Sequence, residues 1–340
     1  MSILITGGLG FIGSHAAAVM LDGGHELVLL DNLCNSRLSV LTQLELLTGK
    51  SISFYRGDVR DQDLLNTIFK SHSISAVMHF AGLKSVAESV QDPLLYFDNN
   101  VGGTITLLEV MKGFGVYQFI FSSSATVYGV PQYLPYDENH PTAPINPYGD
   151  TKLQVENILA ALSKSDSRWR IACLRYFNPV GAHPSHLIGE LPNDQPNNLM
   201  PYMMQVASKQ RPYLTVFGND YETADGTGER DYIHVMDLAE GHEKALTFIE
   251  KNPGMHIINL GTGNSNSVLE LVHTFEKVTG KEIPLQIGPR RDGDLPVYYA
   301  SAEKAQSLLN WQANRSLAQM CESSWQFQLQ QESLGSHKSK

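Results

Sequence analysis

The stretch SILITGGLGFIGSH, residues 2–15, constrains this chain more than any other. An apolar run closes at Thr6, glycines stand at Gly7, Gly10 and Gly13, and a helical pattern begins beside them at Phe11. Glycine permits a tight turn and lets the backbone come close to another group. A helix that starts there offers unpaired N–H groups and the positive end of its dipole to an anion. Within a strand, turn and helix this arrangement receives a pyrophosphate. The next β-rich run, ELVLLD, ends in Asp31, placed as a carboxylate that accepts from a ribose 2′-hydroxyl. A negative charge at that point opposes a 2′-phosphate, so NAD is expected in preference to NADP.

Further β-rich runs recur with helical stretches between them: SISFYRGD, AVMHFAG, QFIFSSS and RIACLRYFN. This alternation predicts an α/β fold, a doubly wound parallel (Rossmann) sheet covered on both faces. QFIFSSS changes abruptly from apolar to three serines, as a buried strand does where its carboxyl end opens into a site. After Asn178 the chain becomes rich in Pro, Asn, His and Gly, which marks a smaller α/β substrate domain. DYIHVMDLAEGHEKAL reads as a strand and helix returning to the main sheet, followed by the strand HIINLGTG and an amphipathic helix carrying Val268, Leu271, Val272 and Phe275. The expected division is residues 1–178 plus about 231–260 for the cofactor domain, and 179–230 with 261–340 for the nucleotide-sugar-binding domain.

Composition narrows the possible partners. The 340 residues are 42% hydrophobic and 18% charged, enough for a large core, and carry a formal charge of −10 that is wrong for gripping nucleic acid. Cys34, Cys173 and Cys321 are widely spaced, without a C-x-x-C pattern, and fit reduced thiols in a cytoplasmic protein. No leader pattern opens the chain and no apolar run approaches the ~18 residues of a membrane helix, so neither secretion nor membrane insertion is expected. His183 and His186 lack acid or thiol partners in ligand register, and no metal is expected.

A second segment, NPYGDTKLQVEN, suggests chemistry. Asn146 suits an N-cap and Pro147 the first helical position, which predicts a helix through Leu162 with Tyr148 and Lys152 on one face. A free tyrosine ionises near pH ~10, and a neighbouring positive charge lowers that value toward one usable by a base in the cell. With a nicotinamide cofactor present, such a phenol could remove the proton of a hydroxyl that loses hydride. Lys152 would hold the phenol acidic and steady the nicotinamide ribose, and Ser124 would bond the same substrate oxygen. On the pattern alone, Tyr148 in the core and Lys152 in solvent stays an open alternative.

The motifs T-G-x-x-G-x-x-G (Thr6 to Gly13) and Y-x-x-x-K (Tyr148 to Lys152) resemble the extended short-chain dehydrogenase/reductase family. DNLCNS, FAGLKSV, FSSSATVYG, RYFNPVGAHP, PNNLMPY, FGNDYETADGTGERDYIHVMDLA and RRDGDLP resemble, more closely, its UDP-glucose 4-epimerase family, from the first strand to about Trp311. Asp150, inside Y-x-x-x-K, departs from the basic residue expected in bacterial relatives.

The resemblance implies cofactor contacts at Phe11 and Ile12, at Asp31, Asn32, Leu33, Cys34, Asn35 and Ser36, at Asp58 and Val59, at Phe80, Ala81, Gly82, Leu83 and Lys84, and at Asn99 and Phe177. It implies Ser124, Tyr148 and Lys152 as the catalytic set, with Ser124 and Tyr148 touching both cofactor and substrate. For a UDP-hexose it implies Asn178, Asn198, Phe217, Arg230, Arg291 and Asp294, with Tyr298 against the hexose and Tyr299 as the alternative wall residue. Guanidinium forks and amides suit a diphosphate, aromatic cover suits uracil, and a carboxylate suits a ribose diol.

The implied reaction is inversion at C4 of the hexose, interconverting UDP-glucose and UDP-galactose through a 4-keto sugar that turns over between hydride transfers. Two rivals share the scaffold, a nucleotide-sugar 4,6-dehydratase and a non-catalytic NAD-sensing regulator. The first would need Asp-Glu where Ala125 and Thr126 stand, and the second has no need of Ser124, Tyr148 and Lys152 together. A helix with Leu153 on one side and Val155, Ile158, Leu159 and Leu162 opposite looks apolar on more than one face. With a helix from Asn99 to Met111 beside it, the family resemblance implies a two-fold homodimer through a helix bundle.

Overall fold

Seven β-rich runs become the strands of one sheet: β1 (Ser2–Thr6), β2 (Glu26–Asp31), β3 (Ser53–Arg56), β4 (Ile74–His79), β5 (Gln118–Ser124), β6 (Arg170–Tyr176) and β7 (Gly254–Leu260). The computed structural model describes residues 1–336 apart from Asp194, Gln195, Asn197 and Asp292. The order across the sheet is β7-β6-β5-β4-β1-β2-β3, and every neighbouring pair is parallel. The chain builds outward from β1 to β3 and then restarts at β4 on β1's other side. The connections after β1 and β4 therefore diverge and leave a crevice at the carboxyl ends of these strands.

Period-two alternation decides which face each side chain covers. Ile3 and Ile5, Leu27 and Leu29, Ala76 and Met78, Ile120, and Ala172 and Leu174 join one apolar cluster with Ala17 and Met20 of the Phe11–Asp22 helix and Leu238 and Leu246 of the Val235–Lys251 helix. Leu4, Val28, Val77, Phe119, Phe121, Ile171 and Cys173 join the other, with residues of the Gln62–Ser71, Gly103–Gly113 and Pro147–Ser165 helices. A sheet buried on both faces explains why its strands read as nearly continuous apolar runs.

The Pro147–Ser165 helix starts as expected and runs slightly past Leu162. Asn146 Oδ1 accepts from the Gly149 N–H at 2.9 Å, and Pro147 occupies the first turn. The stretch expected to be a helix from Asn99 opens differently, as a π-helix over Phe97–Gly102 that becomes α-helical at Gly103–Gly113. Such widened turns are frequent at functional sites.

The Val235–Lys251 helix packs beside Phe11–Asp22, and β7 adds to the edge of the main sheet next to β6. The short strand before that helix, Tyr232–His234, does not reach the main sheet and pairs instead with Asn178–Val180. β6 has ended at Tyr176, so the chain has already left the sheet when these strands meet. Tyr232 and Val180 belong to a further apolar cluster with Met203, Met204, Leu271, Val272, Phe275 and Trp325. The helices Leu199–Ala207, Val268–Thr279 and Leu317–Ser336 enclose it. Ser267 and Glu270 form a reciprocal capping box at the start of the second of these helices. Among the described residues no helix is long and apolar enough to cross a membrane.

Candidate active site

The glycine loop closes against the neighbouring strand connection. Gly7 has φ +67°, and a Cβ there would lie 2.7 Å from the Ala81 nitrogen, so a side chain would force the β1 and β4 loops apart. Gly10 is the N-cap of Phe11–Asp22, and no side chain caps the helix there. The first N–H groups are thus left for an anion, as a pyrophosphate site requires. Beneath the loop His79 joins the two strands and a helix, with Nδ1 against Thr6 Oγ1 at 2.6 Å and Nε2 against Thr104 Oγ1 at 2.9 Å. Burial lowers its pKa to about 3, with the Lys152 charge adding to the effect, so the ring stays neutral.

Asp31 lies at the end of β2, but its carboxylate is engaged within the protein. Oδ2 accepts from Leu9 N–H at 3.0 Å, and Oδ1 from Leu33 N–H at 2.9 Å and Ser36 Oγ at 2.7 Å. It orders the 31–36 loop and keeps one of its roughly four acceptor positions for a ligand. Asn32 bonds Asp58 at 3.1 Å, and hydrogen bonds from Arg60 hold Asp58 down to about 2, with burial opposing. Cys34 and Asn35 are exposed. Ile12, Leu33 and Phe80 pack on the core of one sheet face and Val59 on that of the other.

The loop carrying Ala81, Gly82, Leu83 and Lys84 is held by Asn100, a residue not singled out in the sequence. Asn100 accepts from Leu83 N–H at 2.8 Å, donates to the Leu83 carbonyl at 3.0 Å, and reaches Thr151 Oγ1 at 3.1 Å. Both asparagines are buried within the π-helix. The partners of Asn100 at Leu83 and Thr151 lie 17 and 51 residues away, so no local pattern marks it.

The three serines that close β5 each have a separate task. The Ser122 carbonyl accepts from Lys152 Nζ at 2.8 Å, and its hydroxyl meets Tyr176 OH. Ser123 Oγ donates to Glu156 at 2.5 Å, and Glu156 is paired with Arg175 at 2.5 Å in a place where both side chains are only 3% exposed. Ser124 Oγ accepts from both the N–H and the hydroxyl of Thr126, at 3.2 and 2.9 Å, which leaves its own proton to donate. Thr126 is therefore a holder of Ser124, a role not visible in the sequence.

Tyr148 and Lys152 are brought together, with a correction to their expected electrostatics. Lys152 Nζ lies 5.8 Å from the centre of the Tyr148 ring and 5.0 Å from that of Phe121, directed at the Ser122 carbonyl. Burial pushes the Tyr148 phenol above its usual value, and Ser124 pulls it the other way. Burial also brings Lys152 down to about 8, and Glu156 opposes that fall. The lysine alone does not make the phenol acidic, because desolvation is the larger effect and the ammonium is spent on a carbonyl.

The proposed anchors of the nucleotide sugar lie on short strands and loops beyond the sheet. The Arg291 guanidinium lies 3.9 Å over the Phe217 ring, and Arg230 donates to Asp294 at 3.3 Å and to the Leu295 carbonyl at 2.8 Å. Asn178 is tied through its N–H to the Asp231 carbonyl at 3.0 Å. Asn198 donates to Glu190, another residue the sequence reading did not single out, at 2.7 Å. Tyr298 packs between Phe177 and Tyr136, with ring centres 5.0 and 5.1 Å away, and its buried hydroxyl has no partner among the described residues. Tyr299 contributes its carbonyl to the Tyr136 N–H. Among the described residues no group of three or more His, Cys, Asp or Glu side chains could hold a metal ion. His183, of the pair noted in the sequence, has Nδ1 against Ser185 Oγ at 2.8 Å.

A doubly wound sheet with a glycine loop after β1, a serine ending β5 and a Tyr-Lys pair on the adjoining helix defines an extended short-chain dehydrogenase/reductase. The model of the GDP-mannose 4,6 dehydratase family, which lies within that group, matches residues 4–324. The chain is 52% identical to UDP-glucose 4-epimerase of Neisseria meningitidis serogroup A over 327 residues, 96% of each chain. Among solved structures it is similar to the Stenotrophomonas maltophila UDP-glucose-4-epimerase with bound NAD and formylated UDP-arabinopyranose, with TM-score 0.96 and 48% identity over 98% of this chain and 99% of that one. The Bifidobacterium longum enzyme in complex with NAD+ and UDP gives TM-score 0.95 and 46% identity over the same shares. The chain belongs to the UDP-glucose 4-epimerase family.

Proposed function

We infer that the protein interconverts UDP-glucose and UDP-galactose with NAD as its resident cofactor. The observation that carries this is the meeting of Ser124, Tyr148 and Lys152 at the crevice end of β5, each with its own support. The residues present fit the cofactor: an uncapped helix start beside the glycine loop for the pyrophosphate, Asp31 with a spare acceptor position for the ribose, and a loop from Phe80 to Lys84 fixed by Asn100. When bound, NAD would supply a reversible hydride acceptor for C4 of the hexose.

Tyr148, in the ionised form that the positive charge of an oxidised nicotinamide would favour against burial, takes the proton of the 4-hydroxyl and returns it, while Ser124, which accepts from Thr126, donates to the same oxygen. Lys152 completes the wall through the Ser122 carbonyl. Arg230, Arg291, Asn178 and Asn198 hold the diphosphate and ribose, Asp294 the diol, and Phe217 the uracil. Few polar groups are assigned to the hexose itself, which allows it to present either face. Ala125 is buried in the Tyr128 and Tyr136 cluster and Thr126 supports Ser124, so neither offers the acid/base pair of a dehydratase.

The assignment of these residues to their roles is our reading, as are the division into cofactor and nucleotide-sugar domains and the cytoplasmic setting, the last supported by three unpaired cysteines. We also propose a homodimer, on changed grounds. Leu153 packs against the chain's own Ala125, Val127 and Tyr128 cluster, and thus does not leave a free apolar face. Exposed Val86, Val90, Leu94, Leu95 and Ile105, on and beside helices that touch Pro147–Ser165 or flank it, supply the apolar surface instead. The functional test needs only purified protein. UDP-galactose should convert to UDP-glucose without added NAD, and denaturation should release NAD near one per chain. Protein that holds NAD yet interconverts neither sugar would overturn the assignment.

A further inference from the structure

Lys84 follows β4 on the cofactor side of the crevice, whereas Asn198 opens the Leu199–Ala207 helix on the nucleotide-sugar side. Both donate to one atom, Oε1 of Glu190, at 3.2 and 2.7 Å. The Glu190 side chain is 9% exposed, a position where a carboxylate persists only with charged or hydrogen-bonded partners. Asn198 sits at an N-cap yet makes no capping bond, so its usual local role is given up for Glu190. A little further on, Asn193 accepts from Arg37 Nε at 3.0 Å and donates to the Ser36 carbonyl at 3.3 Å. The Glu190–Asn193 stretch is thus tied to loops at both sides of the cofactor crevice and to the start of the helix that carries Asn198.

We propose that Glu190 is a positioning residue through which occupation of the UDP-sugar site tightens the hold on resident NAD, a proposal that rests on the epimerase reading above. An ammonium has three donor hydrogens and a primary amide two, so Lys84 and Asn198 each keep donors for a ligand after bonding Glu190. A diphosphate oxygen that takes the second N–H of Asn198 fixes that amide, and with it the carboxylate that restrains Lys84. Lys84, with a side chain 52% exposed, otherwise has room to swing away from the cofactor. The coupling is reciprocal, so NAD strengthens UDP binding by the same factor.

The test is exchange of resident NAD for isotopically labelled NAD, read by mass spectrometry of the nucleotide released on denaturation, with and without saturating UDP. In the wild type, UDP should slow exchange ~10-fold, within the usual range for coupled sites. Glu190→Gln keeps an acceptor for Asn198 but removes the charge facing Lys84. It should cut the UDP effect to about 2-fold or less and raise KM for UDP-galactose while kcat stays near wild type. Asn193→Ala should speed exchange equally with and without UDP, leaving their ratio unchanged. A full UDP effect in Glu190→Gln, or none in wild-type protein that binds UDP by calorimetry, overturns the coupling and leaves the epimerase reading intact. Protein that holds no NAD and binds no UDP overturns both. Should Glu190→Gln fail to fold, Lys84→Met must abolish the same UDP effect, and its persistence there overturns the proposal.

Discussion

The end of β5 and the loops around Arg230 and Arg291 serve one substrate but are built in opposite ways. At β5, Ser124 and Lys152 are buried, Lys152 reaches from a long helix to the Ser122 carbonyl of a long strand, and Ser124 accepts from Thr126 in the turn that follows the strand. Around the anchors, Arg291 is exposed, Arg230 and Asp294 keep 20% and 33% of their side chains in solvent, and the supporting strands are short. Proton transfer demands fixed geometry, so its residues stand on rigid elements with their bonds already made. Diphosphate binding demands charges that stay hydrated until the ligand arrives, because burying unpaired guanidinium groups in advance would be costly.

If that contrast is right, the largest single loss of stability should come from the buried end. Arg175→Met strands Glu156 beside Ser123 without its cation and should cost about 3–5 kcal/mol, measured by urea unfolding. A change within 1 kcal/mol would mean that the wall behind β5 is looser than its distances imply. Tyr148→Phe removes one oxygen from the same wall. It should keep fold and bound NAD while activity falls ~10²-fold or more. Near wild-type turnover in well-folded protein would exclude Tyr148 as the base.

Acid sharpens the comparison without mutation. His15, His79 and His242 are buried, and burial lowers their pKa values to about 3, about 3 and about 4. The unfolded chain takes up these protons below pH ~6.5 and the folded chain does not. Stability is therefore full above that pH and declines as pH falls toward the folded values, by about 1.4 kcal/mol per pH unit for each histidine. Urea midpoints that stay level from pH 7 to pH 5 would show that these rings reach water.

Tyr298 stands between the two regions. Tyr298→Cys should admit N-acetylated UDP-hexoses, which the wild type should handle poorly, by relieving overpacking of ~1–3 kcal/mol. Assay of all four UDP-sugars decides this, and no gain in the variant removes Tyr298 as the wall. The smallest effect belongs to the open side. Arg291→Ala should raise KM for UDP-galactose roughly tenfold with kcat little changed, as expected for one charged hydrogen-bond donor near solvent. A fall in kcat instead would place Arg291 with the catalytic wall.

Much was legible wherever the information is local. The glycines after Thr6, the carboxylate ending β2, the serines ending β5 and the cap and proline before Tyr148 each show as a short pattern along the chain, so the sequence carried the fold and named residues that meet at the candidate site. What eluded that reading is the set of supporting partners that the fold brings in, from far along the chain or from a turn that folds back. Asn100 fixes the Leu83 loop, and Thr126, two residues from Ser124, turns back onto its hydroxyl. Glu190 gathers Lys84 and Asn198 from opposite sides of the crevice.

The chain by itself determined the doubly wound sheet, the crevice beside β1 and the Tyr148–Lys152 pair, because apolar period, glycine placement and helix capping are short-range physics. Only the tertiary structure decided how that pair is poised. Lys152 turns to the Ser122 carbonyl and burial raises the phenol, since desolvation depends on everything that packs around a group and spacing along the chain says nothing about it. The same holds for Leu153, whose apolar face the sequence left open and the fold covers with the chain's own aromatic cluster.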